Sequence, residues 1–309
     1  MSGCTDHIFE ESFSNFKWPL FINVKEQVLL DLTGQPFIYT YENNWTNIKP
    51  FIVPVCEVFS DSKKFVLIVV KTSPQRFVKR ETIRATWGSL SNYSGFTIRT
   101  VFVMGRSTFS EEDERLSKEI SSYNDILMGD YLDSYRNNTL KFLSSIQFSF
   151  QYCNQTVPFA FLVDDDYLVL VRNLIEEIKK HDLHDQLYMG WRFDTQPFRS
   201  LLYKHRVSLA VYPYDHYPPY IAAGAVLLSL QTIREMYYAI QYVKLYSFDD
   251  VYAGILAKSL HLPVQHNSNM RFWSAEVTAE EARTLICAHG FEGNYLETVY
   301  NKFRKIGYP

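Results

Sequence analysis

The sequence predicts an α/β protein built on a Rossmann-like, mainly parallel sheet. Three observations carry that expectation. Apolar, strand-like runs alternate with helical segments from residue 64 onward. The most apolar of them, Phe159-Ala160-Phe161-Leu162-Val163, reads as a strand buried on both faces. It runs straight into Asp164-Asp165-Asp166, at the carboxyl end where sheets of this kind bind ligands.

The elements follow in order. Residues 1–60 mix aromatic and polar residues with little periodicity, interrupted by Pro36, Pro50 and Pro54, and predict an irregular, stem-like segment. Residues 61–309 form the main domain. Lys64–Lys71 is a β-branched strand, and Ser73-Pro74 open a helix that runs to about Trp87 and stops at Gly88. Thr97–Met104 is the second strand, Ser110 starts the next helix, and Asp125–Gly129 is a short strand. Ser134–Tyr152 is a long amphipathic helix leading into the strand with the three acids. Beyond it come a helix over Arg172–Asp182, a strand over Gln186–Arg192 and a hairpin arm over Leu201–Leu209. Tyr217-Pro218-Pro219-Tyr220 is a rigid aromatic turn before the small-residue strand Ile221–Ser229. Thr232–Val243 is helical, and Asp249-Asp250 sit at the start of another helix, Val251–Leu260.

Composition narrows the function. The chain has 309 residues, 47% hydrophobic and 16% aromatic, with a net charge of −3 and a pI near 6.3. A nucleic-acid binder relying on phosphate contacts would be basic, so that class is excluded. No apolar run is long enough to span a membrane, and the first residues lack a signal-peptide pattern. The chain is compatible with a piece cut downstream of a membrane anchor. Four separated cysteines permit two disulfides, and four glycosylation sequons, at Asn44, Asn92, Asn137 and Asn154, point toward a secretory compartment. Asn137 is the favoured glycan site. Three adjacent carboxylates repel one another and suit a hard divalent cation, which a phosphate-bearing substrate would share; a solvated acidic turn is the plainer alternative. The chain has neither a Gly-x-x-x-x-Gly-Lys loop nor a Gly-x-Gly-x-x-Gly motif, so the common phosphate-binding folds are set aside.

Five segments, in order, resemble the β-1,3-galactosyltransferase and β-1,3-N-acetylglucosaminyltransferase family. They are Arg80-Glu81-Thr82-Ile83-Arg84-Ala85-Thr86-Trp87-Gly88, the stretch from Asp125 to Lys141, Asp164-Asp165-Asp166, Tyr217-Pro218-Pro219-Tyr220 with Gly224 and Ser229, and Asp250-Val251-Tyr252-Ala253-Gly254. The chain departs from the pattern at Leu162, Ala223, Ala225, Val226 and Asp249, which bears on sugar specificity.

The resemblance implies a GT-A type fold with nucleotide-binding and acceptor-binding halves. It implies inverting transfer of a hexose, galactose ahead of N-acetylglucosamine, from a UDP-sugar to a glycan hydroxyl in β-1,3 linkage. Mn²⁺, or Mg²⁺, is expected on Asp166 helped by Asp164, with His289 as either a further ligand or a structural residue. Lys71, Thr72, Arg80, Arg84 and Asp165 are expected at the nucleotide-sugar, although helix-surface charge is an equal reading of Arg84. Tyr217, Tyr220, Gly224 and Trp273 are expected around the acceptor. An acceptor hydroxyl needs a base, and Asp250, with Asp249 as runner-up, is expected to supply it; a helix cap is the alternative reading of an aspartate at this place. The resemblance implies the Golgi lumen. The alternative is an inactive relative that binds glycans or assists a partner transferase.

Overall fold

The computed structural model describes residues 10–308 apart from 18–21, 36–38, 40, 46–47, 57–63, 108–109, 154–156 and 203–204, and describes only the backbone of 110–113. The elements run α1 (Val24–Thr33), β1 (Pro50–Ile52), β2 (Phe65–Lys71), α2 (Phe77–Ala85), β3 (Asn92–Tyr93), β4 (Phe96–Arg106), α3 (Ser110–Tyr123), β5 (Ile126–Leu132), α4 (Asn138–Gln147), β6 (Phe159–Asp164), β7 (Tyr167–Val169) and α5 (Val171–Ile178). The second half adds β8 (Tyr188–Phe193), β9 (Tyr220–Ser229), α6 (Leu230–Ala239), α7 (Asp249–Leu260), β10 (Val264–His266), β11 (Met270–Arg271), β12 (Cys287–His289) and α8 (Gly293–Lys305).

The main sheet has the order β1-β5-β4-β2-β6-β9-β8-β10, with β3 hairpinned onto β4. β5, β4, β2 and β6 are mutually parallel, which is the expected half. β9 runs antiparallel to both β6 and β8, so the sheet is mixed while its central strands keep the expected parallel order. Every residue of β2 is buried. Leu67 and Val69 pack into the core on one face, and Val66, Ile68 and Val70 into the core on the other. A two-faced burial of this kind explains why the run alternates no polar residues. A separate small sheet, β11-β12-β7, lies beyond the acid triplet.

Several expectations need correction. Residues 1–60 are not irregular throughout: α1 packs on α6 and α7, and β1 pairs antiparallel with β5. Ser73 and Pro74 do not open α2, which starts at Phe77; both instead present carbonyls to the Arg80 guanidinium. The long helix before β6 ends in a π-turn over Phe148–Tyr152. Leu201–Leu209 forms turns rather than a hairpin arm among its described residues. Cys56 and Cys153 form a disulfide, Cys287 is a buried free thiol, and Cys4 lies outside the described residues.

Candidate active site

Parallel pairing of β2 with β6 sets Lys71 directly beside Asp164 at the carboxyl end of the sheet. The Lys71 ammonium lies 3.0 Å from Asp164 Oδ1 and 2.8 Å from Asp249 Oδ2 on the first turn of α7. Burial alone would drive its proton off, but the two carboxylates prevail and hold it above the ordinary lysine value. Burial pushes the Asp164 carboxyl up, Lys71 opposes that, and Asp249 and Asp166 add to the rise, to about 6.

Asp250 is different. It makes no ion pair among the described residues, and its Oδ1 accepts the Val251 amide hydrogen at 2.8 Å. Burial first, and the Asp249 charge second, push its carboxyl up to about 7. Asp249 and Asp250 are adjacent, so only one of them reaches Lys71. The structure therefore gives different partners to the two residues that the sequence ranked first and second as the base.

Lys71, Asp164, Asp249 and Asp250 line one cavity of 290 Å³. Its walls also include Tyr135, His205, Tyr217 and Tyr220. Tyr217 shares a 2.8 Å hydrogen bond with Tyr246, and Tyr220 one of 3.0 Å with Thr195, so both rings are fixed. Gly224 does not line this cavity; Ala223 does. A Cβ at Gly224 would lie 2.1 Å from the Tyr167 hydroxyl, so its role is to admit that ring. Trp273 lies outside the cavity as well, in an aromatic cluster with Trp191 and Phe272.

The acidic turn next to the cavity is held by residues expected at the nucleotide. Asp165 is buried and accepts from Thr72 Oγ1 at 2.7 Å, Arg76 at 2.8 Å and Lys79 at 3.3 Å. Thr72 and Asp165 thus clamp the loop after β2 to the triplet. Arg80 is fully buried, forked onto both oxygens of Glu119 at 2.8 and 2.7 Å and bonded to the Ser73 and Pro74 carbonyls. Arg84 forks onto Asp125 and reaches Glu119 at 2.7 Å. Neither guanidinium faces the cavity, and neither is helix-surface charge. Trp87 completes the support by donating to the Tyr167 carbonyl at 3.1 Å. Arg76, nearly half exposed, is the guanidinium that stands beside the acid turn in solvent.

Sequence reasoning missed Asp133 and Lys141 as individual residues. Lys141 donates to the Thr72 carbonyl at 2.7 Å and to Asp133 at 3.0 Å, and Asp133 accepts the Gly105 amide at 2.8 Å. The pair ties the carboxyl ends of β2, β4 and β5 together. Its signal was the acid and the lysine within the Asp125–Lys141 stretch.

Asp166 carries the features of a metal ligand. Its Oδ1 is buried with no hydrogen-bond partner, and its Oδ2 is 3.5 Å from His289 Nε2. Antiparallel pairing of β7 with β12 sets His289 against Tyr167, and the Asp166 carbonyl accepts from Gly290 and Phe291 at 2.9 Å. An orphaned carboxylate oxygen beside an imidazole fits a hard or borderline divalent cation. Asp164 is paired through its Oδ1 with Lys71 at 3.0 Å. Among the described residues no three His, Cys, Asp or Glu side chains converge as a complete metal cage.

Residues 78–268 match the sequence profile of the family described as Galactosyltransferase. The β-1,3-galactosyltransferase bre-5 of Caenorhabditis elegans is 36% identical over 302 residues, covering 97% of this chain and 88% of the relative. The β-1,3-galactosyltransferase brn of Drosophila melanogaster is 33% identical over 257 residues, covering 82% and 78%. Among solved structures, a galactosyltransferase LgtC complex with donor and acceptor sugar analogs aligns at a TM-score of 0.37 and 12% identity, covering 78% of this chain and 94% of that one.

Proposed function

The chain belongs to the galactosyltransferase family and is a hexosyltransferase, and from that premise we propose that it moves galactose from UDP-galactose to a glycan hydroxyl with inversion, forming a β-1,3 linkage. The observation that carries the mechanism is Asp250: of the three acids that line the cavity, it alone lacks the Lys71 ammonium as a partner. The acceptor hydroxyl gives its proton to the Asp250 carboxylate as its oxygen bonds to the sugar's anomeric carbon. The bond from that carbon to the diphosphate breaks, and UDP leaves with the electron pair. One direct displacement with one base inverts the anomeric centre.

A divalent cation, Mn²⁺ or Mg²⁺, on Asp166 and His289 would supply positive charge for the leaving diphosphate. Arg76 stands beside that turn and adds to the positive charge there. Lys71 is better read as the fixed partner of Asp164 and Asp249 than as a phosphate ligand. Tyr217 and Tyr220 offer the acceptor sugar a rigid wall. We further place the protein in the Golgi lumen: the Cys56–Cys153 disulfide fits an oxidising compartment, and the Asn92 sequon is exposed on the β3–β4 hairpin. Asn137 fits a glycan poorly, because its amide donates to the Leu132 carbonyl at 2.8 Å and Thr139 of the same sequon is buried. No helix among the described residues is long and apolar enough to cross a membrane.

The deciding experiment is Asp250→Asn, with UDP affinity and transfer rate measured together. UDP binding is expected to stay unchanged while transfer from UDP-galactose falls roughly 10²–10⁴-fold. Near-normal transfer would remove Asp250 from the mechanism.

A further inference from the structure

We propose that a ladder of aromatic rings leading out of the cavity is a second acceptor subsite, which stacks sugar rings of the glycan beyond the one that reacts. The inference rests on the transferase reading above. Tyr220 in the cavity wall is the first rung. Phe193 follows at 5.7 Å between centroids, then Phe272 at 4.8 Å, then Trp273 at 5.3 Å, with Trp191 4.7 Å from Trp273. Trp191 and Phe193, both on β8, lie together against Phe272, at 5.4 and 4.8 Å between centroids. Phe272 and Trp273 follow β11 directly.

These rings are not closed over as core rings are. Trp87 has 0% of its surface exposed, whereas Trp273 keeps 42%, and Trp191, Phe193 and Phe272 are all partly open. Trp273 is nevertheless held in place. The buried Arg271 guanidinium lies 6.0 Å from its centroid and is itself fixed by the Ala275 and Glu276 carbonyls at 2.8 and 3.2 Å. A fixed, open indole is costly in water and useful to a ligand with an apolar face.

Pyranose rings have that shape: a face of C–H bonds, polarised positively, and a rim of hydroxyls. The face suits the negative face of an aromatic ring. The rim finds a partner beside the ladder, where the exposed His266 ring lies 4.6 Å from that of Trp191. Continuity with Tyr220 makes the occupant the acceptor glycan rather than an unrelated ligand. The donor is expected at the acidic turn.

The test is calorimetric titration of the full chain, with UDP present, against lacto-N-tetraose, chitotetraose and cellotetraose, each compared with the methyl glycoside of its terminal sugar. At least one tetrasaccharide is expected to bind more tightly than its methyl glycoside. Trp273→Ala and Trp191→Ala are each expected to weaken that tetrasaccharide roughly 3- to 10-fold and leave the methyl glycoside alone. Trp273→Phe should recover most of the loss, which separates stacking from a folding defect. Failure of all three tetrasaccharides to outbind their methyl glycosides would overturn the inference, as would equal losses for long and short ligands. UDP-galactose hydrolysis by the unchanged protein is read in parallel. Its absence would count against the transferase reading, whereas the affinities judge the ladder by themselves.

Discussion

Two clusters of charge at the carboxyl side of the sheet differ in how completely they are matched. In the first, Arg80 and Arg84 meet Glu119 and Asp125, two cations against two anions, with forked hydrogen bonds throughout. In the second, the single Lys71 ammonium faces Asp164 and Asp249, and Asp250 is left over. The balanced cluster holds the loop after β2 through the Ser73 and Pro74 carbonyls. The unbalanced one keeps a carboxylate whose proton affinity is raised, the property that the proposed base requires.

The comparison is broken most sharply from the unbalanced side. Asp250→Asn should reduce transfer by two to four orders of magnitude and leave UDP affinity unchanged. Chelation should abolish transfer and added Mn²⁺ should restore it; full turnover in chelator would remove the cation from Asp166. From the balanced side, Arg80→Met leaves Glu119 buried with half its partners. It should cost about 3–5 kcal/mol of stability, read as a fall in the urea midpoint. Transfer per folded molecule should change far less. If Arg80→Met instead weakened UDP binding in a fully folded protein, the scaffold assignment would fail.

Acidity gives the two clusters opposite signatures. Burial and Asp249 push Asp250 up to about 7, and a base works only when ionised. Turnover should therefore climb about tenfold per pH unit below about 7 and level off above it. Asp250→Asn should flatten that climb. In stability terms a raised carboxyl favours the native state at low pH, and the advantage is lost as pH rises through about 7. Glu119 runs the other way. Burial raises it, but the bonds to Arg80 and Arg84 prevail and hold it below its ordinary value. Its contribution is present above about 4.5, the ordinary glutamate range, and lost as pH falls through the lowered value. Melting curves of Asp250→Asn and Glu119→Gln should both approach the parent at low pH and part from it in opposite directions as pH rises, Asp250→Asn becoming the more stable and Glu119→Gln the less stable. The smallest expected effect is at the surface: Asn92→Gln should remove a glycan from secreted protein and leave transfer unchanged.

Much of this was legible in the sequence. The parallel half of the sheet, the acid turn and the aromatic turn at Tyr217–Tyr220 announce themselves through unbroken apolar runs and stiff dipeptides. What escaped was pairing between distant residues. Arg80 and Arg84 look like free cations until Glu119, 39 residues after Arg80, is folded against them. Asp250 ranks above Asp249 in sequence only through the family pattern, and the reach of Lys71 from another strand is what sets the two apart in the fold. The antiparallel direction of β9 was hidden for a related reason, since a strand buried on both faces carries the same pattern in either direction.

The Cys56–Cys153 bond bears on how the protein is handled as well as how it folds. The bond closes a loop across 97 positions, and loss of such a crosslink typically costs about 2–5 kcal/mol. It fastens the stretch that carries α1 and β1 to the end of the α4 helix. A shortened form beginning near residue 61 would discard that stretch as if it were a tether. It would uncover one side of β5, bare the surfaces of α6 and α7 that α1 covers, and release Cys153 as an unpaired thiol. Open strand backbone together with a spare thiol is a recipe for crosslinked aggregates, so preparations trimmed at that point should lose material to reducible high-mass species that the longer chain does not form.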